Sequence, residues 1–292
     1  MVRFTLLVAA ACAGVLPSGV GAQGQEAALL DAERAVSKQS SDSGVAPALL
    51  RAMEPAGVLL WPGAPVVVGS HNVRRLLESL PGGDSLRVVW QPLGVALARD
   101  STLGVTWGVA VESARRIPSP PEIGQYIAAW RRRDGRWAVA ALLFIGLKPP
   151  VTAVPKGIPL TLVPATPRGA AGPFVAADLA FARLAADSGA ATAFERWAAG
   201  DAMVFGRGGL LVQGPQAIGR AVAGDAVWRW HPVAAGTSPS GDLGWTVGEA
   251  VIAPREAKPS YSKYLTVWLR RDGGPVRFLT DGGNSRPTGG AP

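Results

Sequence analysis

The sequence predicts an α+β protein made of two tandem copies of one domain, each with three helices packed on a curved, mainly antiparallel sheet. Three observations support this: an internal repeat, a proline-rich segment between the repeats, and one order of helices and strands in both halves. The 292 residues suffice for two domains of ordinary size. The predicted organisation is a leader at 1–22, a first domain at 23–147, a linker at 148–172, a second domain at 173–284 and a disordered tail at 285–292.

The repeat consists of matching residues that occur in the same order in both halves. Tryptophans, glycines and an Asp-Gly pair recur in four blocks, which is more than chance would align, so we infer a tandem duplication. The matched blocks are 44–51 with 189–196, 90–92 with 230–232, 103–108 with 243–248, and 126–135 with 264–273.

The segment between the repeats is predicted to be a semi-extended linker. Proline lacks a backbone N–H and fixes φ, so closely spaced prolines exclude a continuous helix or a central strand. The prolines are Pro149, Pro150, Pro155, Pro159, Pro164 and Pro167.

In the first half, apolar residues recur at helical spacing in two segments separated by Gly44, a residue suited to a helix C-terminus. A short hairpin and a third helix follow, and Pro81-Gly82-Gly83 ends that helix. Four long strands come next, the last two joined by the hairpin turn Arg133-Asp134-Gly135. The predicted helices are 26–42, 45–54 and 71–80, and the strands are 57–61, 65–69, 86–98, 103–114, 123–133 and 136–146.

The second half repeats this order of elements, with the same kinds of boundary residue. The predicted helices are 174–186, 190–199 and 215–223, and the strands are 201–205, 209–213, 227–238, 243–253, 260–271 and 275–280.

The chain is basic, with a formal charge of +8, yet its arginine clusters do not indicate a nucleic-acid surface. The segments 131–136 and 270–273 are arginine runs ending at Asp-Gly turns, so we interpret them as solvated loop rims. The two histidines are far apart in the sequence and the one cysteine lies in the predicted leader, so a metal site would need carboxylates to complete it and none is expected. The glycines at 206–209 lack phosphate-binding spacing, so no cofactor is expected.

The N-terminus has the pattern of a secretory leader. Arg3 precedes an apolar run from Phe4 to Leu16, and small residues before Gln23 fit a cleavage site after Ala22. The run is too short for a stable membrane anchor, which needs about 20 apolar residues. We therefore expect a periplasmic or secreted protein without a transmembrane segment. A lipoprotein anchored at Cys12 is the alternative.

The second half carries a resemblance to a known superfamily. The residues are Trp230-His231-Pro232, the segments 241–248 and 264–268, and the final segment 279–284. With the order of elements, they resemble nuclear transport factor 2-like domains, a superfamily that includes SnoaL-like, ketosteroid isomerase-like and scytalone dehydratase proteins. The likeness is greatest to uncharacterised exported bacterial members.

The resemblance implies that each half is a cone whose concave sheet face and helices enclose a pocket. The convex face of such a cone commonly covers a second copy. Two copies on one chain therefore suggest an intramolecular pseudo-dimer, sheet against sheet. Strand 123–133 agrees, because its residues on both faces are mostly apolar.

Acid–base chemistry in this fold needs a carboxylate base and a neutral acid donor. Glu249 or Asp281 is the candidate base and Tyr264 the candidate donor. The repeat places Val109 at the position of Glu249 and Leu143 at that of Asp281, which assigns any site to the second half. The structural alternatives are that Glu249 pairs with Arg255 or Arg277, or points to a solvated rim, and that Asp281 caps a loop.

An apolar pocket in the second half is the other candidate site, with core packing as its alternative. Its expected lining residues are Trp230, His231, Trp245 and Trp268. Three hypotheses follow: a binder of a small apolar ligand or a partner, a cofactor-free isomerase, cyclase or dehydratase, and a non-catalytic assembly module.

Overall fold

The computed structural model describes residues 20–80, 82–114, 122–147, 172–206 and 209–288. We call 20–147 the first half and 172–288 the second half. Within the described residues, each half contains three α-helices and one six-stranded sheet, which confirms the predicted fold class. Residues 1–19 of the predicted leader, 148–171 of the predicted linker and the last four residues lie outside the described part. None of the described helices is long and apolar enough to cross a membrane.

The first half begins with two helices, continues with a short hairpin and a third helix, and ends with four long strands. Its elements are α1 (Val20–Ser43), α2 (Val45–Ala52), β1 (Met53–Leu60), β2 (Val67–Val68), α3 (Ser70–Ser79), β3 (Leu86–Leu97), β4 (Leu103–Ala114), β5 (Glu122–Arg133) and β6 (Arg136–Ile145).

The second half repeats that order. Its elements are α4 (Gly172–Ser188), α5 (Ala190–Trp197), β7 (Ala198–Phe205), β8 (Leu211–Gln213), α6 (Pro215–Ala221), β9 (Val227–Thr237), β10 (Leu243–Ala253), β11 (Ser260–Leu269) and β12 (Arg277–Ser285).

Both sheets have the same strand order, β2-β1-β6-β5-β4-β3 in the first half and β8-β7-β12-β11-β10-β9 in the second. The strands pair antiparallel except for β1 with β6 and β7 with β12, which are parallel. Asp134 and Asp272 adopt positive φ, as a tight turn requires, and Asp134 lies in the predicted β5–β6 hairpin turn.

The first helix begins six residues before its predicted start at residue 26, and the last strand extends five residues beyond its predicted end. The sequence analysis ended this strand at residue 280 and considered Asp281 as the cap of the following loop. In the structure residues 281–284 continue β12 to Ser285 and stay paired with β11. Arg286, placed in the predicted tail, is only 5% exposed.

Each sheet has an inner face toward its own helices and an outer face toward the other half. One apolar cluster contains residues of both outer faces, among them Val105 and Ile127 of the first sheet and Val247 and Leu265 of the second. Gly282 of β12 lies directly against the side chain of Ile127. Both sheets are therefore covered on both sides, which explains the apolar residues on both faces of their strands.

Hydrogen bonds join the halves in a reciprocal way. Ser240 N donates to the Asp100 carboxylate at 2.7 Å, and Arg99 N donates to the Asp242 carboxylate at 3.0 Å. The two acceptors lie in equivalent loops, between β3 and β4 and between β9 and β10. This arrangement is compatible with the predicted intramolecular pseudo-dimer.

Candidate functional site

A cavity of about 270 Å³ lies in the second half between α4, α5 and the inner face of the sheet. Most of its lining is aromatic or aliphatic, and several lining residues are partly exposed. The lining residues are Phe181, Phe194, Val204, Phe205, Val222, Trp228, Trp230, Ala250, Ile252, Ser262, Tyr264, Thr266, Asp281, Gly282, Gly283 and Asn284.

Strand register explains why this space is open. Asp281 pairs with Thr266 of β11 and Val204 of β7, as Leu142 pairs with Ala128 of β5 and Leu59 of β1. The first-half counterpart of Asp281 is therefore Leu142, one residue before the predicted Leu143.

The same register places Gly283 at the position of Phe144, and Gly206 at that of Trp61. In the first half both aromatic side chains are buried, with ring centroids 5.3 Å apart. Phe144 also contacts Trp90 at 5.9 Å. Leu142 and Phe144 thus fill in the first half the positions at which Asp281 and Gly283 line the cavity in the second.

The polar wall of the cavity is built on a buried carboxyl of α4, Asp178. The buried residues of this helix recur at helical spacing, and Asp178 stands within that stripe at 0% exposure. Trp230 Nε1 donates to Asp178 Oδ1 at 2.8 Å, and the Tyr264 hydroxyl donates to Oδ2 at 3.0 Å. The helix therefore holds an acid behind two side chains that line the cavity.

Burial raises the pKa of Asp178 to about 6, although hydrogen bonds from Thr246, Trp230 and Tyr264 lower it. Burial likewise raises the pKa of Tyr264 well above its usual value, and the adjacent Asp178 adds to this effect. Tyr264 is therefore a neutral phenol at physiological pH.

Asp281 is the carboxyl that lines the cavity itself. Its Oδ2 accepts a hydrogen bond from the Thr266 hydroxyl, and its other oxygen has no hydrogen-bond partner among the described residues. Burial raises its pKa to about 7; the bond from Thr266 lowers it, and the charge of Asp178 raises it further. The carboxyl therefore exchanges its proton close to neutral pH.

Glu249 lies on the other face of the sheet from Tyr264 and Asp281. Its neighbour Ala250 lines the cavity, and adjacent strand residues point to opposite faces. Glu249 is 1% exposed, pairs across the strands with Lys263 and His231, and lies 3.5 Å from Arg286. The pairing cation is thus Arg286, instead of the Arg255 or Arg277 considered from the sequence.

The four residues predicted to bind a ligand are divided between the two faces and the core. Trp230 lines the cavity. His231 and Trp245 belong to the outer face, and the Trp245 ring lies over Gly236 of β9. Trp268 is fully buried behind the cavity, where its Nε1 donates to Thr246 Oγ1 at 2.7 Å.

The sequence analysis missed Asp178, although the repeat contains a signal for it. Glu33 of α1 occupies the equivalent place: the Thr106 hydroxyl donates to it at 2.8 Å, and Trp130 Nε1 donates to Thr106 at 2.9 Å. The alignment of 44–51 with 189–196, extended towards the N-terminus, pairs Glu33 with Asp178. The presence of a carboxyl at the same position in the first helix of both halves is the signal that would have identified Asp178.

Chemically, the site combines an apolar chamber with an acid of near-neutral pKa and a phenol. In the described residues no group of three or more His, Cys, Asp or Glu side chains is placed to hold a metal ion.

No protein-family model matches the sequence, and no curated protein is significantly similar to it. Solved structures similar to this chain include a ketosteroid isomerase-like protein from Erwinia carotovora atroseptica, with 17% identity over 43% of this chain and 98% of that chain, at a TM-score of 0.36. An NTF2-like protein with a cystatin-like fold from Novosphingobium aromaticivorans shows 17% identity over 41% of this chain and 83% of that chain, at a TM-score of 0.33. A Δ5-3-ketosteroid isomerase from Mycobacterium sp. shows 18% identity over 38% of this chain and 91% of that chain, at a TM-score of 0.32. These proteins are of the kinds named from the sequence, and the likeness concerns the fold alone.

Proposed function

We propose that the second half binds a small, mostly apolar molecule in the cavity between α4, α5 and the sheet. The observation that carries the proposal is the contrast between the halves. Leu142 and Phe144 are buried in the first half, and at the equivalent positions of the second half Asp281 and Gly283 line the cavity. A core that needed only stability would gain from filling this space, because an unfilled cavity is destabilising.

The cavity size suggests a ligand of about two fused rings. Its volume of about 270 Å³ lies near the lower end of ligand pockets, which run from roughly 300 to 1,000 Å³. A dry cavity of about 150 Å³ takes one benzene molecule. The aromatic walls favour an aromatic or alicyclic ligand, and Asp281 and Tyr264 supply the polar contacts that orient it.

The test is a panel of neutral two-ring fragments, with binding measured by ligand-observed NMR on the wild type and two variants. Ala250→Leu adds three carbons at a residue that lines the cavity, and Ala257→Leu adds the same atoms at an exposed position. We expect binding to wild type and Ala257→Leu and its loss in Ala250→Leu. Binding that Ala250→Leu leaves unchanged would place the ligand elsewhere and overturn the proposal.

Proton-transfer catalysis is a second candidate, favoured by the position of Asp281 beside Tyr264 in one wall. An acid with a pKa near 7 exchanges protons efficiently at neutral pH. The Tyr264 hydroxyl donates its proton to Asp178 and so cannot donate it to a ligand at the same time. When Asp178 is protonated, it can donate to the Tyr264 oxygen instead, and the Tyr264 hydroxyl is then able to donate to a ligand.

The test for catalysis is exchange of the acidic carbon-bound protons of 2-tetralone in D₂O, followed by NMR. If the site is catalytic, the wild type accelerates the exchange and Asp281→Asn does not. Asp201→Asn, which removes an exposed carboxyl outside the cavity, serves as the control. Equal rates in wild type and Asp281→Asn would contradict this function.

We also propose that the protein acts outside the cytoplasm after cleavage before Gln23. The apolar run and the small residues at the cleavage site support this. N-terminal sequencing of the protein recovered from its host tests it: a chain beginning at Gln23 is expected, and one retaining residues 1–22 would contradict it.

A further inference from the structure

The described lining of the cavity contains an acidic side chain and no basic one. Of the sixteen lining residues in the described part of the chain, Asp281 alone has a side chain that is charged near neutral pH, and none is Lys, Arg or His. The whole chain has a formal charge of +8, so basic residues are abundant elsewhere. The absence of a cation from this lining is therefore a local property of the site.

The two acids at the cavity also have no cationic partner. Asp178 is bonded to Thr246, Trp230 and Tyr264, and Asp281 to Thr266, all of them neutral donors. Neither acid is part of an ion pair within the described ranges.

Two basic side chains, those of Lys263 on β11 and Arg286 after β12, are turned away from the cavity. Lys263 Nζ donates to Trp61 O at 2.9 Å, to Ser285 O at 2.7 Å and to Asn284 Oδ1, which uses all three of its protons. Arg286 lies beside Glu249 on the outer face. Neither cation is therefore available to a ligand in the cavity.

We propose that the natural ligand is an apolar amine, bound as an ammonium ion paired with Asp281. This inference rests on the proposed binding function and specifies its ligand class. A carboxylate without a counter-ion in a mostly apolar site is costly, and a ligand ammonium within hydrogen-bond distance offsets that cost. Aromatic side chains add attraction for a cation. An anionic ligand would meet Asp281 without any compensating cation.

Binding should then be linked to proton release. The groups that face Asp281 are Thr266 and Tyr264 on β11 and Asp178 on α4, and none of them is cationic. A bound ammonium favours the charged form of Asp281, so the carboxyl loses its proton as the ligand enters. Affinity for the amine should therefore increase as the pH rises from 6 to 8, while the amine itself remains protonated.

The experiment compares three probes of one shape by calorimetry at pH 8: 2-naphthylmethylamine, 2-naphthylmethanol and 2-naphthoate. For the wild type we expect the amine to bind at least about tenfold more tightly than the alcohol, and the naphthoate most weakly. In Asp281→Asn the preference for the amine should disappear while the alcohol binds as before. Asp201→Asn should behave as the wild type.

Naphthoate binding as tightly as the amine would overturn the inference, as would an amine preference that persists in Asp281→Asn. Alcohol binding without any amine preference would refute the ligand class and leave the binding function standing. If none of the three probes binds, the proposed binding function fails, and the inference fails with it.

Discussion

Asp281 and Asp178 are the two acids at the cavity: Asp281 lines it, and Asp178 lies behind the lining residues Trp230 and Tyr264. Each is an acid whose pKa burial raises, to about 7 and about 6, and each is held by neutral donors. Such groups destabilise the fold when they ionise.

The pH dependence of stability follows from these pKa values. In the folded protein both acids titrate above the usual aspartate pKa of 3.8, so between about pH 4 and 7 these two groups bind more protons in the folded state than in the unfolded chain. Stability therefore falls as the pH rises through this window. In Asp281→Asn we expect the fall to be smaller by about 1–2 kcal/mol, measured by urea unfolding at pH 4.5 and 7.5.

Asp201→Asn is the matched control for that experiment. Its hydrogen bond from Arg271 lowers the pKa of Asp201, and both side chains are well exposed, so its loss should not flatten the profile. Parallel stability curves for wild type and Asp281→Asn would contradict the assignment of Asp281 as an acid whose pKa the fold raises.

Strand β12 is the element that opens the cavity and also joins the halves. Its Asp281 and Gly283 lie at the inner-face positions that Leu142 and Phe144 occupy in the first half. Its Asn284 donates through Nδ2 to Leu60 O at 2.9 Å and to Phe144 O at 2.7 Å. The strand that forms a wall of the site is thus fixed by the other half.

Asn284→Ala should therefore destabilise the whole protein. It removes two bonds to buried carbonyls and an acceptor of the buried Lys263 ammonium, so we expect a loss of about 2–4 kcal/mol in urea unfolding. Asn72→Ala, which removes one bond within the α3 region, should cost under about 1 kcal/mol. Equal effects would show that the contact of β12 with the first half contributes little.

The sequence predicted the order of elements well because periodicity, turns and the repeat all agree. It did not predict the end of β12, since Asp281-Gly282-Gly283-Asn284 has the composition of a turn and becomes a strand only through pairing with β11. It identified Glu249 as an acid on an apolar face. In a tandem protein both faces are apolar, so alternation alone does not tell which face lines the cavity.

At the scale of the whole molecule, the two halves contact each other through the outer faces of their sheets. Apolar residues of both sheets form one cluster there, and the loops holding Asp100 and Asp242 exchange hydrogen bonds. The two copies therefore differ on their inner sheet faces: Leu142 and Phe144 are buried in the first half, and Asp281 and Gly283 line a cavity in the second.

A chain cut between the halves should remain one particle. With a protease site inserted after Lys156, we expect both fragments to co-elute in size-exclusion chromatography at micromolar concentration, because the apolar outer faces remain covered. Leu265→Asp, which places a charge in that cluster, should separate the cut fragments. Separation of the cut wild-type chain would contradict a stable contact between the halves.

Tryptophans at equivalent positions of the two halves test directly whether a ligand binds in the cavity of the second half. Trp230 lines the cavity of the second half, and Trp90 is its match in the filled first half. During titration with 2-naphthylmethanol, ¹H–¹⁵N spectra of the indole groups should show saturable shifts for Trp230 and its neighbour Trp228 and none for Trp90 and Trp61. Equal shifts in both halves, or no shift at Trp230, would contradict the claim that the ligand binds in the cavity beside Trp230.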